Sequence, residues 1–152
     1  DESRRRDAPL VTYDCGRERD PRRIEHALLG SGDEASELLR QSSGGTLFLR
    51  RIDDLPTDLQ PRLLELIERR DALRSANEHQ PVPDVRFIFS SSLSLRLLAA
   101  EGLFYEPLHK KISEVALRIP PLREREGDAV FLLEHFLIDF SPDRIVQLSP
   151  DA

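Results

Sequence analysis

The stretch Gly44-Gly45-Thr46-Leu47-Phe48-Leu49-Arg50-Arg51-Ile52-Asp53-Asp54-Leu55-Pro56 restricts the architectures open to this chain more than any other. Its short apolar run, 46–49, is rich in β-formers and has the composition of a strand covered on both faces. Such strands belong to parallel sheets flanked by helices. A glycine pair precedes the run, and a charged pair, Arg50-Arg51, stands at its carboxyl end. In open α/β sheets ligands gather at the carboxyl ends of strands, so the chemistry of those two guanidinium groups bears directly on function.

Around this centre, helix and strand signals alternate. Pro9-Leu10-Val11-Thr12-Tyr13 reads as a strand closed by Cys15 and Gly16. Asp20-Pro21 places a cap before a proline at the first helical position, and Ile24, Leu28 and Leu29 share one face up to Gly30, which predicts a short helix. Residues 31–33 read as a loop and 35–41 as a second, weak helix. Thr57-Asp58-Leu59-Gln60 has the form of a capping box, and Leu59, Leu63, Leu66 and Ile67 follow at helical spacing, predicting a helix from Thr57 to about Arg74. Residues 75–83 are polar and bend at Pro81 and Pro83, and Val85-Arg86-Phe87-Ile88-Phe89 is a further strand with Ser90-Ser91-Ser92 at its carboxyl end. Ser94 can cap a helix through Ala100 that stops near Gly102, and another short helix is predicted over 105–113. Val115, Leu117 and Ile119 alternate as a fourth strand, ended by Pro120-Pro121. Ala129, Leu132, Leu133, Phe136, Leu137 and Phe140 form one stripe of a helix over 128–140, expected to face the sheet. Four strands alternating with helices predict a three-layer α/β domain with a mostly parallel sheet.

With 152 residues and 39% apolar content the chain can bury a core without staples. A net charge of −6 offers no bulk attraction to nucleic acid or an anionic membrane, and the clusters Arg4-Arg5-Arg6 and Arg17 to Arg23 read as solvated surface. One cysteine, Cys15, cannot form an internal disulfide, and no apolar segment reads as a signal or a span, so a reducing cytoplasmic setting is expected. Methionine is absent even at position 1, which reads as a piece cut from a longer chain with both ends inside a domain.

Three blocks in order then carry a resemblance. Gly44-Gly45-Thr46-Leu47-Phe48-Leu49, Ile52-Asp53-Asp54-Leu55-Pro56-Thr57-Asp58-Leu59-Gln60, and Pro120-Pro121-Leu122-Arg123-Glu124-Arg125 followed by Asp128 and Glu134-His135-Phe136 resemble the sigma-54 interaction domain. That is the AAA+ ATPase module of bacterial enhancer-binding transcription regulators, and the likeness runs from about Pro9 to Phe140. It implies a P-loop NTPase (AAA+) type fold, here incomplete at both ends: the glycine phosphate loop would lie upstream of Asp1, and the helical lid beyond the segment Ser149-Pro150-Asp151-Ala152.

The same resemblance exposes departures. It implies Asp and Glu where Arg50 and Arg51 stand, one organising Mg2+ and the other activating the attacking water. Two cations there repel a dication by roughly 4 kcal/mol or more per unit-charge pair at an intermediate effective dielectric, and a guanidinium is no base near neutral pH. Asp53 and Asp54 read as charges near a helix start and do not replace the missing acids. Ser91 and Ser92 match the family's Thr-Asn sensor, Tyr105 takes the place of an arginine finger, and Lys111 that of a second arginine acting in trans. Ser31 to Ser43 fill the gap in which a Gly-Ala-Phe-Thr-Gly-Ala contact loop for the sigma factor is implied, without that motif.

Arg50 and Arg51 leave two readings open: direct, metal-free binding of nucleotide phosphate, or, the favoured one, ion pairs with Asp or Glu of a neighbouring segment or subunit. Cys15 reads as a small buried residue, the four histidines lack metal-ligand spacing, and the three serines lack a nucleophile elbow. Arg123 and Arg125 resemble the family's domain-joining loop, which implies packing and interdomain salt bridges. The expectation is a catalytically degenerate AAA+ sigma-54-interaction-like domain working by nucleotide binding or homo-oligomerisation, with no catalytic residue and no metal. ATP is its expected cofactor if the upstream loop is intact. No sigma-54 contact element, membrane partner or direct nucleic-acid binding is expected. The alternatives are an ATP-hydrolysing sigma-54-dependent activator and a structural scaffold without nucleotide.

Overall fold

The computed structural model describes residues 5–30, 36–76 and 83–140. The chain divides into two compact units, Asp1–Val115 and Ala116–Ala152.

The first unit is built on three parallel strands in the order β1-β2-β3: β1 Leu10–Asp14, β2 Thr46–Arg50 and β3 Arg86–Phe89. Parallel strands need crossovers, and helices supply them: α1 Pro21–Leu29 and α2 Glu37–Gln41 between β1 and β2, and α3 Gln60–Ala76 between β2 and β3. After β3 come α4 Leu95–Ala100 and α5 Glu106–Ile112. The register places Val11, Leu47 and Phe87 in one row and Tyr13, Leu49 and Phe89 in the next. These two rows make the covered face, with Leu47 and Leu49 buried at its centre and Ile24, Leu28, Leu63, Ile67 and Leu108 packed in the same core. The opposite face is less covered than a two-sided central strand predicts, since Phe48 is only half-buried and Leu10 and Ile88 are 66% and 40% exposed.

Local chemistry sets most of the boundaries. Asp20 caps α1 by accepting from the Arg22 N–H at 3.0 Å, and Pro21 occupies the first turn. Ser36 caps α2 by accepting from the Leu39 N–H at 3.2 Å. The loop over 31–33, Ala35, most of the polar bend after α3, and Ser149 to Ala152 lie outside the described residues.

Two expectations are corrected. The capping box at Thr57 does not open a helix: residues 57–59 form a turn and α3 begins at Gln60. Its amide is already committed to other segments, described below, and cannot reach back to the Thr57 backbone. The fourth strand does not form. Val115, Leu117 and Ile119 are 84%, 91% and 76% exposed, and no strand forms over 115–120. Alternation makes a strand only where a neighbour takes up its N–H and C=O groups. In the second unit, described by itself, a 3-10 turn over Leu122–Glu124 precedes α6 Asp128–Phe140. The helix is where its pattern predicts.

Candidate functional site at the carboxyl ends of β1 and β2

β1 and β2 end side by side, with Asp14 in register with Arg50. Arg50 donates nothing to a described partner through an ion pair; its backbone carbonyl accepts from the Cys15 N–H at 3.0 Å and its side chain is exposed. Arg51 is different. It leaves the strand at φ 51°, ψ 54°, the one described non-glycine residue with positive φ, a conformation that costs an L-residue about 1 kcal/mol. The turn is held from both sides: the Ile52 N–H bonds the Ser90 carbonyl at 2.9 Å, and the Arg51 guanidinium reaches Asp14.

That guanidinium donates to Asp14 Oδ1 through Nε at 2.8 Å and lies 2.7 Å from it through Nη2, while Nη1 stands 3.6 Å from Asp54 Oδ2. Asp14 Oδ1 also accepts from the Gly16 N–H at 3.2 Å. The Arg51 hydrogen bond holds the Asp14 carboxyl below its ordinary range, and the Gly16 N–H adds to this. A Cβ on Gly16 would fall 2.2 Å from Asp54 Oδ2 and 2.6 Å from Arg51 Cζ, so this packing of Asp14, Arg51 and Asp54 requires glycine there. Cys15 is buried beneath them. Burial first, and the neighbouring Asp14 charge second, push its thiol up to about 12, which removes it as a nucleophile near neutral pH. Asp53 keeps one buried oxygen, Oδ1, without a hydrogen-bond partner among the described residues.

A cleft of 410 Å³ opens over this cluster, lined by Arg51, Asp54, Glu18 and Arg19, with Ile24 and Pro56 supplying apolar surface. Its lining carries charges of both signs, and Arg51 meets it already paired with two carboxylates. Because the Asp14 carboxyl is lowered from 3.8, its stabilising pair is present above that value and is lost as pH falls through the lower folded value. Wild type and Asp14→Asn are therefore expected to differ in denaturation midpoint at pH 7, with the gap closing below about pH 4. A gap that stays constant from pH 7 to pH 3 would show that the pair contributes nothing.

The other residues singled out from the sequence are dispersed. Ser92 is exposed in the turn after β3, where the neighbouring Ser91 Oγ donates to the Leu93 carbonyl at 2.8 Å. Lys111 sits on α5 with Nζ 3.0 Å from Asp71 Oδ2 of α3 and 3.5 Å from Glu114, and the Asp71 hydrogen bond raises its pKa. Tyr105 precedes α5, and its backbone N–H donates to Gln60 Oε1 at 2.7 Å. Gln60 in turn donates through Nε2 to the Leu55 carbonyl at 2.8 Å. Two residues that organise the site, Asp14 and Gln60, escape a reading of the sequence. Asp14 carried a signal, since it ends the strand parallel to β2; Gln60 carried none beyond a capping pattern that explained it differently.

Three parallel strands joined by helical crossovers, with charged residues at their carboxyl ends, define the class as an α/β domain. Residues 11–122 match the family described as the Sigma-54 interaction domain, and the chain belongs to that family. It is 39% identical over 110 residues to the DNA-binding transcriptional regulator NtrC of Bradyrhizobium sp. (strain RP501 Parasponia), covering 72% of this chain and 23% of that protein. It is 32% identical over 162 aligned positions to the Sigma54-dependent transcriptional activator SfnR of Pseudomonas putida, covering 99% of this chain and 44% of the relative. The crystal structure of NtrX from Brucella abortus in complex with ADP superposes with a TM-score of 0.79 at 28% identity, over 99% of this chain and 35% of that one. The chain thus spans less than half the length of each. No helix among the described residues is long and apolar enough to cross a membrane.

Proposed function

We propose that this chain is a catalytically degenerate sigma-54 interaction domain of a bacterial transcription regulator, acting in the cytoplasm by nucleotide binding or self-association rather than by hydrolysis. The observation that carries this reading is the state of Arg51. It stands where the family resemblance implies a catalytic acid, and it is bound to Asp14 at 2.7–2.8 Å with Asp54 beside it. The carboxylates nearest the strand end are thereby neutralised, and a magnesium ion beside them would face a guanidinium. The donor set does not fit the metal, and no hydrolytic step is derived through it. Ser92 offers a short hydroxyl where a sensor amide is implied, and Tyr105 a neutral phenol in place of an arginine.

Nucleotide binding is supported by the NtrX structures, one with ADP and one with ATP, the latter at a TM-score of 0.77 and 27% identity. The test is steady-state phosphate release by the full-length regulator with Mg2+ and ATP. No turnover above background is expected, and restoring Asp and Glu at positions 50 and 51 alone is not expected to create it. Clear Mg2+-dependent hydrolysis by the unaltered protein would establish the competing reading, an active ATP-hydrolysing sigma-54-dependent activator. Absence of any ATP-induced change in melting temperature would remove nucleotide binding, and a monomer in sedimentation as well would leave the structural scaffold.

A further inference from the structure

We infer that Gln60 is a buried strut that couples the carboxyl end of β2 to the Tyr105 loop, so that a change at the Asp14–Arg51 pair is felt at the Tyr105 backbone. The inference is independent of whether the domain hydrolyses ATP. Gln60 is fully buried, and both ends of its amide are used by backbone groups of different segments: Nε2 donates to the Leu55 carbonyl at 2.8 Å, and Oε1 accepts from the Tyr105 N–H at 2.7 Å. Glutamine is suited to this because one planar group presents a donor and an acceptor in fixed geometry. In a site closed to water neither backbone group has a substitute partner if the other moves.

The segment on the Leu55 side is short and stiff. Arg51 is held by Asp14, the 3-10 turn over Ile52–Asp54 follows at once, the Asp54 N–H bonds the Arg51 carbonyl at 2.9 Å, and the Leu55 N–H bonds the Ile52 carbonyl at 3.2 Å. The path from the Asp14–Arg51 pair to Tyr105 therefore consists of one turn and one side chain. The far end of α5 is fixed to α3 separately, through Lys111 and Asp71. These two polar attachments to α3 are distinct, and of the two only the one through Gln60 is continuous with the strand end.

Coupling of this kind is demonstrated by perturbation rather than by proximity, and residue-resolved amide hydrogen exchange on the full chain supplies it. Arg51→Ala is expected to speed exchange of the Asp54, Leu55 and Tyr105 amides together, each by about tenfold. Gln60→Met, similar in length but without donor or acceptor, is expected to speed exchange at Tyr105 by about tenfold on its own; Arg51→Ala added to it should then change Tyr105 by less than about twofold. Lys111→Met, which cuts the other attachment, should leave Tyr105 within about twofold of wild type. Arg51→Ala loosening the turn with Tyr105 unchanged would overturn the inference. So would multiplying effects of Arg51→Ala and Gln60→Met, or a Tyr105 response to Lys111→Met. If Gln60→Met does not fold, the Arg51→Ala and Lys111→Met arms decide, since both side chains are partly exposed.

Discussion

Leu49→Ala is expected to lower the stability of the domain by about 3–4 kcal/mol, the largest effect of any single truncation in the sheet. Leu49 is fully buried on the central strand, in register between Tyr13 of β1 and Phe89 of β3, so its side chain closes the covered face from both neighbours. Removing three carbons there loses their transfer free energy and leaves a cavity whose walls belong to hydrogen-bonded strands and cannot collapse into it. Urea denaturation should show a lower midpoint at an unchanged slope. Leu10→Ala, at a side chain 66% exposed on the opposite face, should change the stability by less than about 0.5 kcal/mol. Equal effects at the two positions would mean that the two faces are equally buried.

Gly45→Ala is expected to cost about 3 kcal/mol, at the upper end of overpacking penalties, although the substitution adds a single carbon. That carbon would lie 2.0 Å from the Pro9 carbonyl oxygen and 2.9 Å from its carbon. The obstacle is backbone, which cannot rotate away, and the same carbonyl accepts from the Thr46 N–H at 2.8 Å to start the β1–β2 pairing. Relieving the clash therefore separates the strands where they first meet. Gly44→Ala provides the contrast within one glycine pair. Its Cβ would meet nothing within 4 Å, but its φ is +74°, so only conformational strain is at stake and about 1 kcal/mol is expected. If thermal denaturation ranks the two variants the other way, close approach is not what selects glycine at position 45.

The strand 46–49, the aspartate-capped α1 and the leucine stripe of α3 were legible because each is set by local chemistry: apolar runs, cap residues and helical spacing act over a few residues. The segment around Val115, Leu117 and Ile119 shows the limit. Its alternation is as regular as that of a strand, but strand formation needs a second backbone, and no spacing in one segment reports whether an edge awaits it. Thr57 and Gln60 show the same limit for helix starts. The side chain that would complete the capping box is drawn instead to the Leu55 carbonyl and the Tyr105 N–H, the latter 45 residues away in the chain.

At the site, the residue types were readable and their partners were not. That Arg50 and Arg51 follow the central strand, and that a guanidinium there cannot act as a base or ligate a cation, is decided by sequence and by the pKa of arginine. Which of the two pairs, and with what, was settled only when parallel pairing set Asp14 beside Arg50 and a left-handed turn swung Arg51 back onto that carboxylate. The physical reason is range: composition and periodicity record what each residue prefers among its chain neighbours, whereas an ion pair spanning 37 residues exists only after the strands have docked.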